Sequence, residues 1–267
     1  MSTSLWRNRD FTALWAGQMI SAVGASITST AVPLLVLATT GSPRDAGLVG
    51  AAGTLPFLLG NLPAGALVDR WNRHRILLVS ELVAALAMIS VPLAIWLGRL
   101  GVAQMCAVTF VQGMCFAFFS LAERAALPRV VPGDQLATAM AHNEARSRAA
   151  TLAGPPLGGV LFAAGRAIPF LVDAITYLVA ALALLRVRRD LNSENPPTEP
   201  LWRSTTEGLA WVWRFPLIRA GILLVAASNL VFQALVLVLV VLAGQRGASP
   251  AAIGVMLGVY SSGGLLG

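Results

Sequence analysis

The sequence predicts an all-α protein that crosses a bilayer many times, and three observations carry that prediction. Hydrophobic residues make up 57% of the chain and charged residues only 12%, with a mean hydropathy of +0.74; a soluble domain has roughly 45–50% and about 25%. Apolar runs long enough to cross about 30 Å of hydrocarbon recur along the whole chain. The loops between those runs alternate between arginine-rich and arginine-poor, as the loops on the two sides of a membrane do.

Taken in order, the spans are Phe11–Thr39, Ala46–Val68, Ile76–Leu97, Val102–Leu121, Leu136–Ala164, Ile168–Leu185, Leu217–Ala243 and Ala251 to the end. Arg7 and Arg9 precede the first. Arg70, Arg73 and Arg75 follow the second, Arg124 and Arg129 the fourth, and Arg186, Arg188 and Arg189 the sixth. The intervening loops each hold one arginine: Arg44, Arg99, Arg166 and Arg246. This pattern predicts a cytoplasmic N-terminus. The first apolar run is too long for a signal-peptide core of about 7–15 residues, so it is expected to remain as a helix.

The polar stretch from Arg186 to Pro216 divides the chain. Asn192-Ser193-Glu194-Asn195-Pro196-Pro197 cannot continue a helix. Beyond it, tryptophans at 202, 211 and 213 mix with Arg203, Glu207 and Arg214, the composition of a helix lying at headgroup level. Three regions are therefore expected: residues 1–185 as a six-helix bundle, 186–216 as a cytoplasmic linker with an amphipathic helix, and 217–267 as the opening two helices of a second bundle. Adding 207 to early positions gives an internal repeat. Trp6-Arg7 falls on Trp213-Arg214, Ser21 on Ser228, Ser42-Pro43 on Ser249-Pro250, and Gly47 on Gly254. With two of six second-half spans present, the sequence reads as a C-terminally truncated piece of a protein of roughly 400 residues.

Net charge is +7 and pI about 11.1, yet the arginines sit in short loops rather than on one face, which argues against nucleic-acid binding. His74 and His142 have no acidic or thiol cluster at metal spacing, and no phosphate-binding Gly-x-x-x-x-Gly-Lys occurs. An enzyme, a metal, a cofactor and a nucleotide are accordingly not expected. Cys106 and Cys115 lie nine residues apart in one span, on opposite sides of a helix, and are not placed to pair.

Two motifs stand out. Gly65-Ala66-Leu67-Val68-Asp69-Arg70-Trp71-Asn72-Arg73-His74-Arg75 is a tight, charged turn between spans two and three, with Asp69 ending one helix. Gly154-Pro155-Pro156-Leu157-Gly158-Gly159 lies in span five, where the prolines remove backbone donors and Gly154 and Gly158 form a small-residue face that lets helices approach. With Leu14–Ser21 of span one and Glu207-Gly208-Leu209, these motifs resemble the major facilitator superfamily, and within it the exporters typified by macrolide-efflux and enterobactin-export proteins.

The resemblance implies a secondary active transporter that works by alternating access. It implies proton-coupled efflux of small amphipathic molecules, drug-like or siderophore-like, from a bacterial inner membrane. In the resembling family the Asp69 position engages the second half near its eleventh helix, and the Gly-Pro-x-x-Gly-Gly segment is an antiporter signature. Arg146 and Ala150 depart from that signature, standing where small residues are usual. Ala25 stands where many relatives carry an acid.

Polar residues inside the spans are the candidate cavity or coupling groups. Asp173 and Tyr177 share a face of span six, Asp173 being the candidate proton or cation site. Glu144 and Arg148 are spaced as an i,i+4 pair, with Arg146 beside them. Gln18, Gln112, Asn229 and Gln233 can line a cavity or bond between helices. Glu81 is expected to pair with the arginine loop. An uptake permease or a non-transporting scaffold is the alternative reading. The expected partners are the lipid bilayer, a small-molecule substrate and the proton.

Overall fold

The computed structural model describes residues 5–192, 206 and 210–266; the side chains of 57–63, 66 and 264–266 lie outside the description. All eight expected spans are helices: α1 Arg9–Thr40, α2 Pro43–Val68, α3 Arg73–Trp96, α4 Val102–Val130, α5 Leu136–Ala164, α6 Ile168–Leu184, α7 Pro216–Gln245 and α8 Pro250–Leu266. No strand occurs among the described residues. Most of the expected linker, 193–205, falls outside the description, and so do the interfacial residues Trp202, Arg203 and Glu207. Trp211 and Trp213 belong to a described helical stretch at 210–214 and are exposed.

Local chemistry starts these helices where they start. Asn8 accepts the backbone N–H groups of Asp10 and Phe11 at 3.2 and 3.3 Å and caps α1. Asn72 does the same for Arg75 at 3.0 Å and opens α3 directly after Asp69, which closes α2. The repeat noted in the sequence reappears as matching caps. Ser42 accepts from Asp45 N ahead of Pro43, and Ser249 accepts from Ala252 N ahead of Pro250, each at 3.2 Å.

Among the described residues, four helices, α1, α3, α4 and α7, are long and apolar enough to cross a membrane by length and composition. α6 is apolar but has 17 residues, about 26 Å at 1.5 Å per residue. α5 carries Glu144, Arg146 and Arg148 in its first half, which lowers its mean hydropathy.

Packing joins α1 to α5 and α6, α3 to α4 and α6, and α2 to α4. α8 lies along α5 through Ile253, Gly254, Leu257 and Gly258, a one-sided buried face with helical spacing. α7 buries only Val240 among its described side chains and touches α1 and α2 near its own C-terminal end. Its first part is exposed and apolar, with Leu217 86% and Leu230 73% accessible. A helix this apolar on all sides is built for contact with lipid or other helices rather than water.

The interior divides in two. One apolar cluster runs through Ala31–Val36, Met88, Val91, Met105, Phe170 and on to Ile253 and Leu257. The other gathers Phe11, Leu14, Leu77, Phe119, Leu127, Leu184 and Leu191 at the N-terminal end of the bundle. Along α1, α3 and α4, the polar residues Gln18, Ser21, Ser80, Glu81 and Gln112 fall between them.

Candidate functional site

At the end of the bundle that holds the N-terminus, the turn between α2 and α3 fastens its neighbours. The Arg73 guanidinium, 7% exposed as a residue, donates through Nη1 to the Ala125 carbonyl of α4 at 3.0 Å and to the Leu191 carbonyl beyond α6 at 3.2 Å. Its backbone N–H reaches Asn192 Oδ1 at 3.0 Å. Asp69, half exposed, pairs with Arg73 at 3.4 Å. In this chain, then, the signature acid meets the arginine four residues on.

The same end collects the other arginine-rich segments. Arg189 donates to the Val130 carbonyl at 3.2 Å, Asn8 donates to it at 2.7 Å, and Arg188 N donates to Asp10 at 3.1 Å. Replacing Arg73 with lysine keeps the charge but loses the planar fork whose Nη1 serves two carbonyls while Nη2 meets Asp69. Hydrogen bonds to a charged donor are worth about 1.5–3 kcal/mol. Thermal unfolding in detergent micelles is expected to show a loss of that size for Arg73→Lys and little change for the exposed Arg75→Lys.

Arg70 and Arg75 lie at the rim of a cavity of about 600 Å³ between the α2–α3 turn and α4. Val79, Val83, Met114, Cys115 and Phe118 supply its apolar wall.

The Gly-Pro segment of α5 is the contact between the two parts of the chain, and the helix runs through Pro155 and Pro156 without a break. Gly154 and Gly158 face α1: a Cβ on Gly154 would strike Ser26, and one on Gly158 would lie 2.6 Å from the Ile27 carbonyl oxygen. Gly159 faces α8. A Cβ there would sit 2.8 Å from Gly254 Cα, and a Cβ on Gly254 would sit 2.9 Å from Gly159 Cα. Pro156 packs where a Cβ on Gly258 would be, 2.6 Å from its Cγ. α5 is therefore held backbone to backbone on two sides, by α1 and by α8.

The structure corrects one expectation outright. Glu81 does not pair with the arginine loop; it is 3% exposed and turns to α1, where Gln18 Nε2 donates at 2.9 Å and Ser21 Oγ at 3.3 Å. Arg75 and Glu81 are six residues apart, about 240° around a helix, so they leave α3 in different directions.

Asp173 is fully buried on α6. Its Oδ1 accepts from Thr176 Oγ1 at 3.3 Å and would lie 2.6 Å from a Cβ on Gly24. Its Oδ2 has no hydrogen-bond partner, and neither does the buried Thr28 hydroxyl one turn beyond Gly24. Tyr177 accepts from Gln112 Nε2 at 3.0 Å. Gln18 and Gln112 thus bond between helices instead of lining an open cavity. Asn229 and Gln233 are exposed on α7, away from this group.

The expected pair forms on α5: Arg148 Nε meets Glu144 at 2.7 Å, both more than half exposed. Arg146, which sequence reasoning placed beside them, turns inward and pairs with Glu123 of α4 at 2.9 Å, both about nine-tenths buried. Glu123 was not foreseen. An acid two residues past the expected end of span four, with an arginine in span five where the signature has small residues, was the signal available.

Long apolar helices in a one-sided bundle, close-packed glycine crossings and buried acids define a multi-pass membrane protein of transporter type. Residues 2–267 match the family model described as transmembrane secretion effector. The chain is 31% identical over 269 residues to the multidrug efflux pump Tap of Mycolicibacterium fortuitum, covering 96% of this chain and 64% of that protein. It is 29% identical over 240 residues to the uncharacterized MFS-type transporter YfiS of Bacillus subtilis strain 168, covering 87% and 56%. Against the macrolide efflux protein A of Streptococcus pyogenes it is 24% identical over 184 residues, covering 68% and 45%. The chain thus belongs to the transmembrane secretion effector family of the major facilitator superfamily, and it spans about half to two thirds of the length of these curated relatives.

Proposed function

We propose that the chain is the first half, residues 1–185, and the opening of the second half, residues 217–267, of a proton-coupled exporter of small amphipathic molecules that works by alternating access. The reading is carried by the α5–α8 crossing. The Gly154–Gly159 segment, which the resemblance associates with export, is the surface on which the second half rests, and two of the relatives are named as efflux proteins.

The arginine-rich end, with the N-terminus, faces the cytoplasm. The two halves meet toward the opposite end, where Leu34, Phe162, Val240 and Ile253 line an apolar cleft, while the cytoplasmic part of α7 stands away from the first bundle. That arrangement suits a transporter open to the cytoplasm. Asp173, buried with an unpartnered oxygen beside the backbone of α1, is the coupling acid.

The test is accumulation of ethidium and of a radiolabelled macrolide in cells making the full-length protein. Wild-type cells are expected to hold less of a probe than vector controls, and an uncoupler is expected to erase the difference. Asp173→Asn is expected to bring accumulation to the control level. Higher accumulation than in controls would mean uptake, and no difference for any probe would favour a scaffold.

A further inference from the structure

We infer that Glu81 is a second proton-binding group of the first bundle, acting jointly with Asp173 through α1; the inference deepens the proton-coupled reading and rests on it. Glu81 and Asp173 are two acids from two different helices, α3 and α6, that both turn toward α1, and among the described residues no cation pairs with either. α1 meets Glu81 with two polar side chains, Gln18 and Ser21, and meets Asp173 with the backbone of Gly24 and the hydroxyl of Thr28. Ser21 and Gly24 are three residues apart, so the two acids meet α1 within one turn of each other.

The other titratable groups that the packed helices supply carry no positive charge. From α6 come Asp173 and Tyr177; from α4 come Glu123 and Cys115. Arg146 of α5 is committed to Glu123. A charge held in a dry interior without a counter-ion is costly, and binding a proton is one way to remove it.

The chemistry at Glu81 balances without a further reactant. Gln18 has an amide that can present either its NH₂ or its oxygen, and Ser21 has a hydroxyl that both donates and accepts. With Glu81 ionised, both donate to it, as they do here. When a proton from water binds a carboxylate oxygen, the new O–H donates to Ser21 Oγ or to the Gln18 carbonyl. On release the proton returns to water and the donors turn back. Each state keeps its hydrogen bonds, so the two differ in what α1 is attached to rather than in a broken contact.

α1 is also the helix against which Gly154 and Gly158 of α5 lie, and α5 bears α8 at Gly159. A change in the grip of Glu81 and Asp173 on α1 therefore acts on the helix that supports the second half. At Gly154, Gly158 and Gly159 the helices approach with no side chain on the glycine to absorb a shift.

Infrared difference spectroscopy on the purified full-length protein in lipid nanodiscs, titrated with pH, reads the carboxylic C=O stretch directly and needs no substrate. Two components are expected. Glu81→Gln should remove one, Asp173→Asn the other, and each single variant should displace the midpoint of the component that remains. A band unchanged by Glu81→Gln, or a surviving component whose midpoint stays put, overturns the inference. Should Glu81→Gln not fold, Ser21→Ala and Gln18→Leu keep the acid and are expected to move the Glu81 midpoint most; no movement overturns it equally.

Ethidium export in cells separates this inference from the reading beneath it. Gradient-driven export that Glu81→Gln leaves intact sinks the coupling role of Glu81 and spares the exporter. Wild-type export indifferent to an uncoupler sinks the proton-coupled reading, whatever the infrared band shows.

Discussion

Gly159→Ala and Gly254→Ala are each expected to cripple export while leaving the first bundle folded, and Gly159→Leu to abolish it. The reason is distance. An added Cβ at either position would lie 2.8 or 2.9 Å from the α-carbon of the other glycine, whereas carbon atoms pack at about 3.5–4.0 Å. The obstruction is backbone, so no rotamer change relieves it. α8 must move off α5 by roughly 1 Å.

Overpacking of this kind costs about 1–3 kcal/mol. It falls on the conformer that makes the crossing, so that conformer loses roughly 5–150-fold in population. Gly101→Ala is the control: Gly101 has an ordinary φ of −127° and open space where its Cβ would be. The pair of measurements is ethidium export in cells and thermal unfolding of the purified protein. Normal export by Gly159→Leu would show that the crossing is dispensable.

Breaking the Glu123–Arg146 pair from one side is expected to be the most destabilising single change in the first bundle. Both side chains are about nine-tenths buried, and Nε and Nη1 of Arg146 have no hydrogen-bond partner. Glu123→Leu leaves a guanidinium in the interior with nothing opposite, and Arg146→Met leaves a carboxylate in the same position. Orphaning a buried charge in this way costs about 3–5 kcal/mol.

The double variant Glu123→Leu, Arg146→Met removes both charges and fills much of the space with apolar atoms, so it is expected to recover most of the loss. Arg148→Ala, at the exposed pair with Glu144, is expected to change stability by no more than about 0.5 kcal/mol. Thermal unfolding in detergent micelles ranks the four proteins. Equal midpoints for Arg146→Met and Arg148→Ala would show that burial at Arg146 carries no energetic weight.

Residue by residue, the sequence was most legible where the determining chemistry is local. Ser42-Pro43 and Ser249-Pro250, matched in the sequence as a repeat, both cap helices, and Asn8 and Asn72 cap theirs by the same local chemistry without having been singled out. The glycines and prolines of α5 announced a close approach, though not that Gly159 and Gly154 would serve different neighbours. That depends on which side of α5 faces which helix.

Glu81 was misread for the same reason. Its nearest arginine in the chain leaves α3 on another side, and its true partners lie about sixty residues earlier on α1. Arg146 and Glu123, 23 residues apart on different helices, show how a charge can belong to a neighbouring helix while an evident i,i+4 pair sits beside it. Spacing along one helix gives a residue's direction, but only the packing of several helices says what waits there.

The clasp made by Arg73 also bears on how the chain is assembled. One of the carbonyls it grips belongs to Leu191, and its own amide is held by Asn192, so neither bond can form until the ribosome has delivered the sixth helix and a few residues more. Before then Arg73 can tie α3 only to α4, through the Ala125 carbonyl. The fastening of the first bundle is thereby completed by its last-made residues, Leu191 and Asn192.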